Sequence, residues 1–155
     1  MDNEIKNILH YVLNNYPYPS DLTKTRITKI VYLVDWYSCI SNQKQITNIS
    51  WYFDHYGPYV SDVLDVADDD PDVRIKASQS AYGGVKYIIE SKDDKPLSFD
   101  LDSEKINIID DVIEQTKNLS WNKFIDFVYS TYPIETQKKY GNLDLVKLAK
   151  ETKRP

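Results

Sequence analysis

Apolar side chains at Ile5, Ile8, Leu9, Val12, Leu13 and Tyr16 recur with the spacing of one buried helical face. Lys6, Asn7 and Asn14 fall on the opposite side. Pro17 and Pro19 lack the N–H donor that a continuing helix needs, so the helix stops there. Ser20 or Asp21 then caps a second helix that reaches about Asn42. Its stripe of Ile27, Ile30, Val31 and Val34 is flanked by Leu33, Trp36, Tyr37 and Ile40. A helix apolar over most of its circumference belongs in the middle of a core, and this one is the expected hub.

Ile49, Trp51 and Phe53 alternate with Ser50, Tyr52 and Asp54, the period of a short extended segment. Gly57-Pro58 reads as the start of another helix, because proline's missing N–H costs nothing in a first turn. Val60, Val63, Leu64 and Ala67 keep helical spacing as far as Pro71. Val73, Ile75 and Ala77, then Val85, Tyr87 and Ile89, form two alternating runs with Gly83-Gly84 available to turn between them. They predict a β-hairpin. Ser103 caps a fourth helix, and Ser120 a fifth that Pro133 ends. Asn142 opens a last one carrying Leu145, Leu148 and Ala149. The expected fold is mainly α, a compact helical domain with a small inserted β-hairpin. Its 155 residues make one domain, 1–155.

The chain carries 19 Lys and Arg against 24 Asp and Glu, a net charge of −5. An acidic surface repels a phosphate backbone, which disfavours nucleic acid as a partner. The excess lies in Asp62, Asp65, Asp68, Asp69, Asp70 and Asp72, read either as a solvated helix end or as an acidic face for a basic partner. Charge interrupts every apolar stretch, so no membrane span is expected. No secretory leader is recognised at the N-terminus, and a reduced cytoplasmic location is the expectation.

Candidate chemistry is sparse. A single cysteine, Cys39, excludes an internal disulfide, and one Cys with His10 and His55 is too few for a Cys/His zinc site. Asp68, Asp70 and Asp72 mimic the first ligands of a calcium loop, but Val73 and Gln79 stand where the turn Gly and bidentate Glu belong. No phosphate-binding glycine loop occurs. Neither a cofactor nor a metal is expected, and the enzyme reading is subordinate.

Aromatic content does change the picture. The chain has thirteen Tyr, four Phe and three Trp, and their densest cluster is Trp51, Tyr52, Phe53, Tyr56 and Tyr59, around His55. They cannot all face inward if the first part is extended. Trp51 and Phe53 are assigned to the core. Tyr52 and at least one of Tyr56 and Tyr59 are left for a partner, because tyrosine joins apolar area to a polar handle.

The segment Lys29-Ile30-Val31-Tyr32-Leu33-Val34-Asp35-Trp36-Tyr37 resembles the K-L-x-Y-L-A-D helix of the Panacea domain, the SocA-like antitoxin family. Trp51-Tyr52-Phe53-Asp54-His55-Tyr56-Gly57-Pro58-Tyr59-Val60 resembles that family's aromatic W-x-x-Y-G-P signature at the right distance. The run Phe127-Val128-Tyr129-Ser130-Thr131-Tyr132-Pro133 is similar to its closing part, so the resemblance spans roughly residues 5–150. Val34 replaces the usual Ala, and Tyr59 stands where a small aliphatic is common.

The resemblance implies an antitoxin of a bacterial or phage toxin–antitoxin pair that neutralises a cognate toxin by direct binding. It implies no catalytic set to carry over. Tyr52, His55, Tyr56, Tyr59, Asp62 and Asp65 are the expected partner contacts. Asp35, Trp36, Trp51, Gly57 and Pro58 are expected to be structural. Two other readings stay open. One is an adaptor or phage-borne regulator that binds a host protein or brings it to a protease. The other is an enzyme acting on the toxin or a small molecule.

Overall fold

The computed structural model describes residues 3–81 and 83–153. Helix α1 (Asn3–Asn15) buries the predicted face and ends ahead of Pro17. A short 3-10 turn at Pro19–Asp21 precedes α2 (Lys24–Asn42). Thr23, not Ser20 or Asp21, caps α2, its hydroxyl accepting from the Arg26 N–H. The shift has a physical cause. Leu22 is buried, and its carbonyl accepts from the Ile89 N–H at 2.9 Å, while Thr23 bridges to Ile88. Backbone committed to a neighbouring strand cannot join the helix.

Next come β1 (Tyr52–Asp54), β2 (Gly57–Pro58), α3 (Asp62–Asp69), and the hairpin β3 (Val73–Gln79) and β4 (Val85–Ser91). Helices α4 (Ser103–Thr116), α5 (Trp121–Tyr129) and α6 (Tyr132–Thr136), strand β5 (Gly141–Asn142) and α7 (Leu145–Thr152) complete the chain. The fold is mainly α with minor β, as the periodicity predicts. Helix α2 is the hub: it is buried from Arg26 to Asp35 without a break and packs against α1, α3, α4, α7 and β4.

Local departures have local reasons. Gly57-Pro58 does not start a helix. It pairs antiparallel with β1, Phe53 opposite Pro58 and Asp54 opposite Gly57. Gly57 has φ +102°, which no α-helix contains, and Pro58 has no N–H to lose at a strand edge. Pro133 lies in the first turn of α6; α5 has already closed at Tyr129. Asp102 rather than Ser103 caps α4, and Asp144 rather than Asn142 caps α7. Asn142 instead faces Tyr52 in β5, making a second small sheet in the order β2-β1-β5.

The polar side of α1 is engaged by the segment that precedes α4. Asn14 clasps the Leu97 peptide, donating to its carbonyl and accepting its N–H, both at 2.8 Å. Asn7 accepts from the Asp100 N–H. Between them, His10 faces the Ser98 carbonyl at 2.6 Å and the Asp70 carboxylate at 2.5 Å. Both partners are acceptors, so both ring nitrogens carry protons. Asp70 is therefore no part of an acidic outer face. It is a buried counter-ion that fastens the end of α3 to α1.

Candidate partner-binding site

The site begins with a buried carboxylate. Asp35 is fully buried in α2 and accepts five hydrogen bonds from the irregular segment that follows. Its Oδ1 takes the Ile46 and Thr47 N–H groups, each at 3.0 Å. Its Oδ2 takes the Thr47 hydroxyl at 2.5 Å, the Trp51 indole N–H at 2.9 Å and the Gln45 amide at 3.3 Å. Burial pushes the carboxyl up to about 6, against the opposing pull of the Thr47, Trp51 and Ile46 donors. Trp51 also meets Tyr32 edge-on, with centroids 5.5 Å apart. The Asp35 helix and the Trp51 segment, separate blocks in the sequence, are one hydrogen-bonded frame. Trp36 is buried too, and Cys39 is an interior thiol raised to about 12, chiefly by burial.

That frame delivers the chain into the β1–β2 turn, with His55 and Tyr56 at its apex. Tyr56 is 74% exposed. His55 meets it edge-on at 4.4 Å, and on its other side His55 Nδ1 lies 2.9 Å from the Tyr140 hydroxyl. Tyr140 is itself exposed. Its N–H donates to the Phe53 carbonyl, which carries it beside the turn. Trp51 and Phe53 point inward as expected, whereas Tyr52 and Tyr59 are half-buried. Asp62 and Asp65 are exposed on α3, a separate element, where Asp65 accepts from Ser61. The structure thus joins two of the six predicted contacts, His55 and Tyr56, by a direct ring contact and adds Tyr140.

Beside the turn lies a groove of about 470 Å³, walled by Tyr56, Lys29, Trp121, Ile125 and Tyr129. Trp121 is partly exposed and stacks on buried Phe124. Gly57 is where two elements come close: a Cβ there would sit 3.2 Å from Tyr129 Cε1 and 3.7 Å from Lys29 Cε. Lys29 is 2% exposed, and its ammonium donates to the Pro58 carbonyl at 3.4 Å. Burial lowers its amine to about 8, with Asp54 pulling weakly the other way. Lys29, Trp121, Tyr129 and Tyr140 were not among the predicted contacts. Two signals were available for Lys29: it interrupts the apolar stripe of α2, and it opens the segment that resembles the family's helix motif.

A helical hub carries a buried Asp frame, and a Tyr-Gly-Pro turn with exposed aromatic residues is set against it. The sequence profile of the antitoxin SocA-like Panacea domain matches residues 27–133, and the chain belongs to that family. No curated protein and no solved structure matches it. Among the described residues, no helix is long and apolar enough to cross a membrane.

Proposed function

We propose that this protein is the antitoxin of a toxin–antitoxin pair and neutralises its toxin by stoichiometric binding, without catalysis, in the cytoplasm. Membership of an antitoxin family supports the general role. The observation that carries the binding mode is the exposed aromatic turn. Tyr56 at 74% and Tyr140 at 60% exposure stand on either side of His55, and Tyr56 shares its groove with the partly exposed Trp121. Aromatic side chains left in water on a rigid turn are what partner surfaces use as anchors. Asp62 and Asp65 supply exposed negative charge that would steer a basic partner to the face without adding much affinity.

The test is a pull-down from the native host, followed by co-expression of any small protein retained and measurement of its stoichiometry. A toxic product rendered harmless and retained at about one to one supports direct neutralisation. Tyr56→Ala should abolish protection while changing stability by less than about 0.5 kcal/mol, because the side chain is largely solvated. Protection at sub-stoichiometric levels would replace this reading with an enzyme. Protease-dependent loss of the toxin would replace it with an adaptor.

A further inference from the structure

We propose that the groove between α2, α5 and the β1–β2 turn receives an acidic side chain flanked by a bulky apolar one on the partner polypeptide, with the Lys29 ammonium taking the carboxylate. This deepens the partner-binding reading and rests on it for the identity of the partner.

Lys29 occupies the most buried helix of the fold and lines this groove. An ammonium has three donors. The structure engages it once, on the Pro58 carbonyl, at a distance near the limit of a hydrogen bond. Among the described residues, no carboxylate lies within ion-pair distance of it. Asp54 acts on it only from farther away, and Asp126 stands on the groove wall. A buried cation without a counter-ion is costly, and a carboxylate that enters the same low-dielectric space offsets that cost. The rest of the wall decides what accompanies the carboxylate. Trp121, Ile125 and the rings of Tyr56 and Tyr129 offer mainly apolar surface, which a bare inorganic anion would leave unused. The volume falls within the range of small-molecule sites, about 300–1,000 Å³, enough for two side chains. Gly57 keeps the backbone beside Lys29 free of a side chain.

Three capped dipeptides test this on the whole protein by NMR titration: acetyl-Trp-Glu-amide, acetyl-Trp-Gln-amide and acetyl-Trp-Lys-amide. The Glu peptide should bind at least about tenfold more tightly than the Gln peptide. Its binding should move the Trp121 indole N–H and the Tyr56 and Gly57 amides, and should take up protons near pH 8 as the Lys29 amine is recharged. Lys29→Met, which keeps the straight stem, should erase the preference for Glu. The comparison of Glu with Gln on the unaltered protein needs no variant to fold. Equal affinities overturn the proposal, as does preference for the Lys peptide, which would mean that Asp126 and Asp54 set the sign. So do shifts confined to residues away from Trp121. None of these arms contains a toxin, so the antitoxin reading stands or falls separately.

Discussion

Replacing Thr47 with Val keeps the shape of the side chain and deletes one hydroxyl, and two effects follow. The hydroxyl donates to Asp35 Oδ2 at 2.5 Å, and a hydrogen bond to a charged group contributes about 1.5–3 kcal/mol. It also accepts from the Ile49 N–H at 3.1 Å, and an orphaned buried donor costs about 1–3 kcal/mol. With partial relaxation, Thr47→Val should lose about 3 kcal/mol at pH 8.

The loss should depend on pH. Asp35 is raised from 3.8 to about 6, so the folded state favours its neutral form. The stability this group contributes is present in full below about 3.8 and is lost as pH rises through about 6. Across that interval the loss amounts to about 3 kcal/mol. Removing a donor raises the carboxyl further, so in the variant the loss extends to higher pH. Near pH 5 Asp35 is mostly neutral in both proteins, and the penalty should shrink to about half, because the missing bond is then one between neutral groups. Urea unfolding of both proteins at the two pH values measures this directly, and titrations elsewhere cancel in the difference. Equal penalties at pH 5 and pH 8 would refute the claim that the hydroxyl holds a carboxylate. So would a loss under about 0.5 kcal/mol at pH 8.

Two further outcomes follow from the same fold. Gly57→Ala places a Cβ 3.2 Å from the Tyr129 ring on backbone at φ +102° and should cost about 2 kcal/mol in urea unfolding. Adding Tyr129→Leu should recover only the part due to contact. Asp70→Asn strips His10 of its counter-ion and should cost about 3–5 kcal/mol by thermal or urea unfolding. Burial alone would raise the Asp70 carboxyl, but the Asp72 N–H and His10 outweigh it and hold it low. Its stability is therefore present above the usual carboxylate value and fades as pH falls below it, a decline the variant should lack.

The first helix was legible because it has one period and one buried face, the second because apolar residues run round most of its circumference, and the hairpin because two alternating runs flank a glycine pair. Trp51 and Phe53 were legible as core through alternation too. What stayed hidden was settled by distant partners. The start of α2 was moved by a strand more than sixty residues away, through the Leu22 to Ile89 bond. Gly57-Pro58 satisfied the rule for a helix start, but Gly57 adopts a φ that only pairing with β1 explains. Asp70 looked like one more surface carboxylate until His10 was brought beneath it. Of the candidate site, the aromatic turn could be read locally. The Tyr140 neighbour and the Trp121 and Tyr129 wall arrive from α5 and the approach to β5, elements whose position no local pattern encodes.

Walls drawn from distant parts of the chain also govern how the surface comes into being during synthesis. The turn bearing Tyr56 leaves the ribosome early, together with the Asp35 frame that steadies it. The opposite wall and Tyr140 emerge only in the last quarter of the chain. A nascent chain paused before Trp121 holds the hub and the hairpin but presents half a groove, with Lys29 unroofed and the Phe53 ring lacking the Tyr129 edge that covers it. The face therefore cannot be complete before α5 and β5 have been made. A partner that needs both walls has nothing to grip until translation is almost over.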